Sequence, residues 1–325
     1  MLREAIARRY SERGLPTRPD EVMVVNGALS AFALILRLFT GPGDRVVIDA
    51  PTYPMAISAI QGASCRPVGV ALPQQGWDCD GLAATIAQTA PRLAWLMPDF
   101  HNPTGRCMDA PTRQRVADIA ARTRTTLVID ETMADLWYNA PPPPPLASFN
   151  PDAAVLTIGS AGKSFWGGLR IGWIRASART IASLIQARDS LDLGTPLLEQ
   201  LACCWLLENA ATLLPPRRDM LKARRDMCET LMAEYFPRWR FSPPKVGSLF
   251  GWNFLTCWPP CSLRVRKARG SISAPVRGLG WKGRSIAIYV CRLRCRMKHC
   301  AGPSPRYNRC GKALLNRRKI HVCEK

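Results

Sequence analysis

Apolar positions along this chain follow two rhythms: short runs of consecutive apolar or β-branched residues, and longer stretches with apolar residues three and four apart. The first rhythm marks strands buried on both faces, and the second marks helices laid against them. Residues 2–12 carry Leu2, Ala5, Ile6 and Ala7 at helical spacing, with a stop at Gly14. Residues 21–25 read as a short strand that runs through Asn26-Gly27 into an apolar helix, which ends before Gly41-Pro42-Gly43-Asp44. Strands are then expected at 45–49, 66–70, 92–97 and 126–129, separated by helices at 55–62, 82–90 and 111–122. Two more strand-like runs, 155–158 and 169–174, flank a Gly-rich turn, and 218–236 is an amphipathic helix. The pattern predicts an α/β fold, a mostly parallel central sheet with flanking helices.

Composition changes this picture only at the C-terminal end. With 325 residues the chain can bury one large core and a smaller domain. The longest apolar run, 28–39, is interrupted by Arg37 and is too short to span a bilayer. The first fourteen residues are charged and amphipathic, without the apolar segment of a secretory signal, so a cytoplasmic protein with no membrane partner is expected. A net charge of +21 suggests nucleic acid until its distribution is examined. Residues 257–325 hold 18 of the 45 Lys and Arg, a single acid (Glu324) and seven of the 13 cysteines. The first 256 residues carry 27 basic against 23 acidic side chains and are nearly neutral.

Candidate chemistry centres on residues 155–176. Lys163 stands alone among small and apolar residues, with Ser160 three positions before it and Arg170 seven after. Such surroundings are expected to desolvate the ammonium and lower its pKa, which suits a Schiff-base nucleophile. The hydroxyl and the guanidinium suit a phosphate. An aldehyde carrying its own phosphate satisfies all three groups, and pyridoxal phosphate is that molecule. Gly162-Lys163-Ser164 also matches the end of a nucleotide-hydrolase phosphate loop. That motif needs glycine where Thr157 stands and a helix where Phe165-Trp166-Gly167-Gly168 follows.

The junction at Asn26-Gly27-Ala28 exposes backbone N–H groups at a helix start, suited to an anion, or is a plain cap by Asn26 or Ser30. Pro51-Thr52-Tyr53-Pro54 presents Tyr53 at a strand end, as a ligand contact or as a packing residue. Asn102, held extended by Pro103, turns its amide away from the loop unless the pair is a simple turn. His101 is expected to be incidental, having no second ligand at metal spacing, and no metal site is read here. Strand 126–129 delivers Asp130 and Glu131. A buried acid needs a cation; one of the pair is open to a simple solvated reading, and Asp130 is the better candidate for a buried partner. The prolines at 141–145 read as an extended surface connector.

Six motifs in order resemble the fold-type-I pyridoxal-phosphate enzymes of aminotransferase class I/II. They are N-G-A-L-S (26–30), G-P-G-D (41–44), P-T-Y-P (51–54), N-P-T-G (102–105), D-E (130–131) and the S-x-x-K…R-x-G-W stretch of 160–173. The wording F-W-G-G-L-R-I-G-W is similar to the aminotransferase-like domains of MocR-type transcription regulators. The resemblance covers roughly residues 1–250. It implies a cofactor-binding large domain over 1–210, truncated at its N-terminus, and the start of an α+β small domain over 211–256. It also implies Lys163 as the Schiff-base lysine and proton carrier, Asp130 on the ring nitrogen, Asn102 on the phenolic oxygen and Tyr53 stacked on the ring. Gly27, Ala28, Ser160 and Arg170 would hold the phosphate. The implied activity is amino-group transfer between an amino acid and a 2-oxo acid by a homodimer. The alternatives are the effector domain of a regulator lacking its DNA-binding half, and an inactive fragment.

Departures from the resemblance bound these expectations. Relatives place a tyrosine two or three residues past the ring aspartate, where this chain has Thr132 and Met133. No helix-turn-helix motif is read, so a nucleic-acid partner is not expected. Beyond about Leu255 the resemblance stops, and the arginine that grips a substrate carboxylate has no assigned position. The tail, 257–325, shows no helical or strand period. It reads as a basic nucleic-acid segment, as a metal cluster of Cys291, Cys295, His299 and Cys300, or as an out-of-frame disordered extension. The last is the favoured expectation, because composition and resemblance change at the same point.

Overall fold

The computed structural model describes residues 1–73, 75–235, 249–253 and 288–292. Seven strands form one sheet: β1 (Val22–Val25), β2 (Arg45–Ala50), β3 (Arg66–Ala71), β4 (Leu93–Leu96), β5 (Thr126–Asp130), β6 (Val155–Ser160) and β7 (Gly172–Arg175). Their order is β1-β7-β6-β5-β4-β2-β3. β7 runs antiparallel to both neighbours, and the other pairings are parallel. The helices are α1 (Leu2–Glu12), α2 (Ala28–Phe39), α3 (Pro54–Gly62), α4 (Cys79–Thr89), α5 (Ala110–Thr123), α6 (Ala161–Ser164), α7 (Ala178–Arg188), α8 (Leu197–Glu208) and α9 (Ala210–Tyr235).

Strand side chains alternate between faces, so each central strand feeds two cores. Val46, Ile48, Trp95 and Val128 join Phe32 and Ile35 of α2 and Ile60 of α3 on one side. Val47, Ala94, Leu96 and Leu127 join Leu82 of α4 and Val116 of α5 on the other. Ile35, Ile60, Val116 and Leu127 are fully buried, each contributing about 1.5–3 kcal/mol relative to exposure. A third cluster seats α1 and α8 against Trp173, whose indole donates to the Tyr10 hydroxyl at 3.1 Å.

Several boundaries differ from the sequence reading, each for a local reason. The run 169–174 is not one strand. Gly167–Leu169 is a 3₁₀ turn, Arg170 sits at φ 54°, and β7 starts only at Gly172. A Cβ at Gly172 would meet the Gly27 backbone at 2.6 Å, so the strand begins where glycine lets two backbones touch. α7 goes unmarked in the apolar spacing but carries a cap, Ser177 accepting from Thr180 N–H at 3.3 Å. α9 starts eight residues before the expected 218 and takes Pro215 and Pro216 into its second turn, where sequence rules expect a break. The proline connector is not merely surface: Pro145 is buried, and the Pro144 carbonyl accepts from Arg113 at 3.0 Å.

β8 (Leu249–Asn253) pairs antiparallel with β9 (Ile288–Arg292), so one stretch of the tail does form a ladder. The rest of 257–325, with Cys295, His299 and Cys300, lies outside the described residues, as does most of the small-domain segment beyond α9. Among the described residues no helix is long and apolar enough to cross a membrane.

Candidate functional site

A cavity of about 250 Å³ opens at the C-terminal edge of the parallel strands, on the face of Trp95 and Ile158. Ligands of open α/β sheets sit at this edge, because the loops leaving the strands diverge there. The eight residues singled out in the sequence, Gly27, Ala28, Tyr53, Asn102, Asp130, Ser160, Lys163 and Arg170, all line it. They come from five strand ends and the turns that follow them.

One end of the cavity is an anion cradle. Gly27 is the cap residue of α2, at φ 96°, with no side chain closing the helix start, so the plain Asn26 or Ser30 cap is not what forms. The Asn26 amide instead donates to Asp192 at 3.0 Å, and Ser30 Oγ donates back to the Asn26 carbonyl. A Cβ on Gly27 would meet Arg170 Nη2 at 2.7 Å, so the missing side chain is what seats the guanidinium. Ser160 Oγ accepts from Gly162 N–H at 3.0 Å and caps the single turn of α6. Helix-start N–H groups, a hydroxyl and a guanidinium together suit a phosphate.

The other end holds the titratable groups. Asp130 is buried at the tip of β5 and accepts from Thr132 N–H at 2.9 Å. Burial pushes its carboxyl above the ordinary range, while the Thr132 donors and the Lys163 charge pull the other way. Lys163 lines the cavity and is exposed rather than buried among its small neighbours. Its backbone is fixed instead: its carbonyl accepts from Arg217 of α9 at 2.9 Å, and the next residue, Ser164, donates to Asp135 Oδ2 at 2.5 Å. Asn102 Oδ1 is buried without a hydrogen-bond partner. Thr132 and Met133 both line the wall, at the positions where relatives place a tyrosine.

The solvated reading of one acid fails here: Glu131 is 5% exposed and ion-paired with Arg13 at 2.8 Å, on the opposite side of β5 from Asp130. His101 is wholly buried and faces Asp49, a neighbour that its local sequence does not announce. The residues that sequence reading missed are wall residues such as Phe32, Trp95 and Met97. Strand alternation places Trp95 on this face, but only packing shows that the cavity reaches it.

The chain was compared with known proteins. Residues 1–256 match the family model described as aminotransferase class I and II. Aromatic-amino-acid aminotransferase 1 of Thermococcus litoralis is 28% identical over 82% of this chain and 66% of its own length. An HTH-type transcriptional regulator of Bacillus subtilis, YisV, is 27% identical over 77% of this chain and 52% of its own. Among solved structures, LysN, the α-aminoadipate aminotransferase of Thermus thermophilus complexed with N-(5'-phosphopyridoxyl)-L-leucine, superposes with a TM-score of 0.72 at 27% identity. That match covers 78% of this chain and 65% of that one. The multiple substrate aminotransferase of Thermococcus profundus gives 0.71 at 28% identity. The chain thus spans between half and two thirds of the length of these relatives.

Pyridoxal phosphate is the cofactor this family implies, and the residues present fit it. The cradle beside Gly27 suits its phosphate, the Asn102 amide lines the same cavity, and Asp130 offers a buried acid to a ring nitrogen. By its matched span and its fold, the chain belongs to the aminotransferase class I and II family.

Proposed function

We propose that this chain binds pyridoxal phosphate at Lys163 and transfers amino groups between amino acids and 2-oxo acids. The supporting observation is the convergence of Lys163, Asp130 and the Gly27–Arg170 cradle on one cavity. When bound, the coenzyme supplies an aldehyde for amine exchange and a protonated pyridine that draws electrons from the substrate Cα. Lys163 Nζ is the attachment point and the base that takes the proton from that Cα. The Asp130 carboxylate holds the proton on the ring nitrogen through a charge-assisted bond of about 1.5–3 kcal/mol. The Asn102 amide orients the phenolic oxygen, Tyr53 lies against the ring, and the Ala28 N–H, Ser160 and Arg170 fix the phosphate.

Adding pyridoxal phosphate, reducing with borohydride and mapping the peptides is expected to place one label per chain on Lys163. A label elsewhere, or none, overturns the reading. Turnover with a panel of amino donors then tests the transfer. The match to HTH-type regulators favours a second reading, a coenzyme-binding effector domain. It predicts the same label with no turnover across the panel.

We also propose a homodimer in the cytoplasm. The exposed Leu193, Leu197, Leu198 and Trp205 along α8 and the preceding loop offer an apolar face that a second copy would cover. Free thiols such as Cys203 and Cys204 suit a reducing compartment. Gel filtration at the monomer mass would remove the dimer.

A further inference from the structure

Behind the cavity wall lies a polar cluster that the proposed chemistry does not use. Asp49, near the end of β2, is 2% exposed, and His101, in the loop after β4, is 0% exposed. Asp49 Oδ1 accepts from the Trp77 indole N–H at 3.0 Å, and Oδ2 accepts from the Met97 N–H at 3.2 Å. His101 Nδ1 lies 3.0 Å from Thr104 Oγ1. Its Nε2 has no hydrogen-bond partner and faces Asp49 Oδ2 at 3.6 Å. Two successive loops, those after β3 and β4, therefore meet at one carboxylate carried by β2.

Buried ring nitrogens without partners are rare and call for a physical account. With Thr104 donating to Nδ1, the ring carries its hydrogen on Nε2, aimed at Asp49 Oδ2. An approach of a few tenths of an ångström completes that bond. Burial raises the Asp49 carboxyl to about 7. Burial, with Arg106 adding to it, lowers His101 to about 3. Arg106 is the charged neighbour that acts on the ring, and its guanidinium donates to the Pro73 carbonyl. Above neutral pH the pair is then a carboxylate facing a neutral imidazole. Asp49 precedes Tyr53 by four residues and His101 directly precedes Asn102, so both loops that reach the coenzyme ring start from this contact.

We infer that Asp49 and His101 form a buried hydrogen-bonded pair that positions Tyr53 and Asn102 against the coenzyme ring. Neither touches the ring; both are positioning residues. The inference rests on the pyridoxal-phosphate reading above, but its first test does not.

The first test is ¹⁵N NMR of the histidine-labelled chain without coenzyme at about pH 8, with His101 assigned by its loss in His101→Gln. The expected result is a neutral ring protonated at Nε2. An Nδ1–H tautomer or a charged ring overturns the pair. The second test is coenzyme affinity by absorbance titration. His101→Gln keeps an N–H near the Nε2 position and should bind within about threefold of the native chain. His101→Leu should bind about tenfold more weakly, the scale of a lost bond to a charged group. Equal affinities of the Gln and Leu variants overturn the positioning role. If His101→Leu does not fold, the near-isosteric Asp49→Asn replaces it, with the same tenfold loss expected and an unchanged affinity overturning the role. A native chain that binds no coenzyme removes both the functional reading and the positioning role, while the tautomer still decides whether the pair exists.

Discussion

Asp130 and Glu131 are adjacent, both acidic and both buried, yet they sit in opposite environments. Glu131 turns to the α1 side, where Arg13 of the C-cap bonds it at 2.8 Å and also reaches Asp99, itself paired with Arg113. Burial still raises the Glu131 carboxyl, with Arg13 opposing most strongly. Asp130 turns to the cavity, where the backbone N–H and the side chain of Thr132, and then the Lys163 charge, are its main compensation. One acid is neutralised by the fold; the other is left for a ligand to neutralise. A strand flips successive side chains to opposite faces, so one dipeptide can serve the packing with one residue and the chemistry with the next.

The largest test of this contrast lies at Lys163, the amine that shares the cavity with Asp130. Lys163→Ala should abolish the reducible coenzyme label and lower any turnover by about 10³-fold or more, with the melting temperature little changed. On the structural side, Glu131→Gln leaves Arg13 short of its partner. It should lose about 3 kcal/mol in urea denaturation while the folded fraction still labels at Lys163. If Glu131→Gln proves as stable as the native chain, the division between the two acids fails.

Asp130→Asn should do the reverse. Coenzyme affinity should fall about tenfold or more, since a hydrogen bond to a charged group is lost. Stability without coenzyme should not fall. Here the sign follows from the raised carboxyl: the fold favours its protonated form, so its contribution is complete at low pH and is lost as pH rises through the folded value. The Asn variant should therefore gain on the native chain in denaturation midpoint towards about pH 8, with the gap closing towards pH 4. A gap that widens on acidification would mean Asp130 is better paired than its surroundings indicate. The smallest effect sets the floor. Arg115 and Asp80 form an ion pair at 2.7 Å with both side chains largely in water, and Arg115→Ala should leave the melting temperature unchanged within error.

These contrasts also show how far the sequence could be read. Strand runs such as 126–129 and the apolar helix ending before Gly41 are local patterns, and each recurs in the structure within a residue or two. The cavity residues were legible because they follow strand ends and because glycine and proline mark the turns that carry them. The surroundings of Glu131 and His101 were not legible for a common reason. Their partners, Arg13 and Asp49, lie 118 and 52 residues away, and no local spacing announces such a meeting. The start of β7 was misplaced because Gly172 answers to the backbone of Gly27, which is remote in the chain.

The sequence by itself determined the alternation of strands and helices, the polar identity of each turn and the near neutrality of the first 256 residues, because these depend on neighbours a few positions apart. Tertiary structure alone decided which acid of the pair meets a protein cation, that Lys163 is exposed rather than buried among its apolar neighbours, and that two loops converge on Asp49 of β2. Burial and pairing of charge are properties of surfaces brought together by folding, and the free energy of a buried ion depends on what lies opposite it in space.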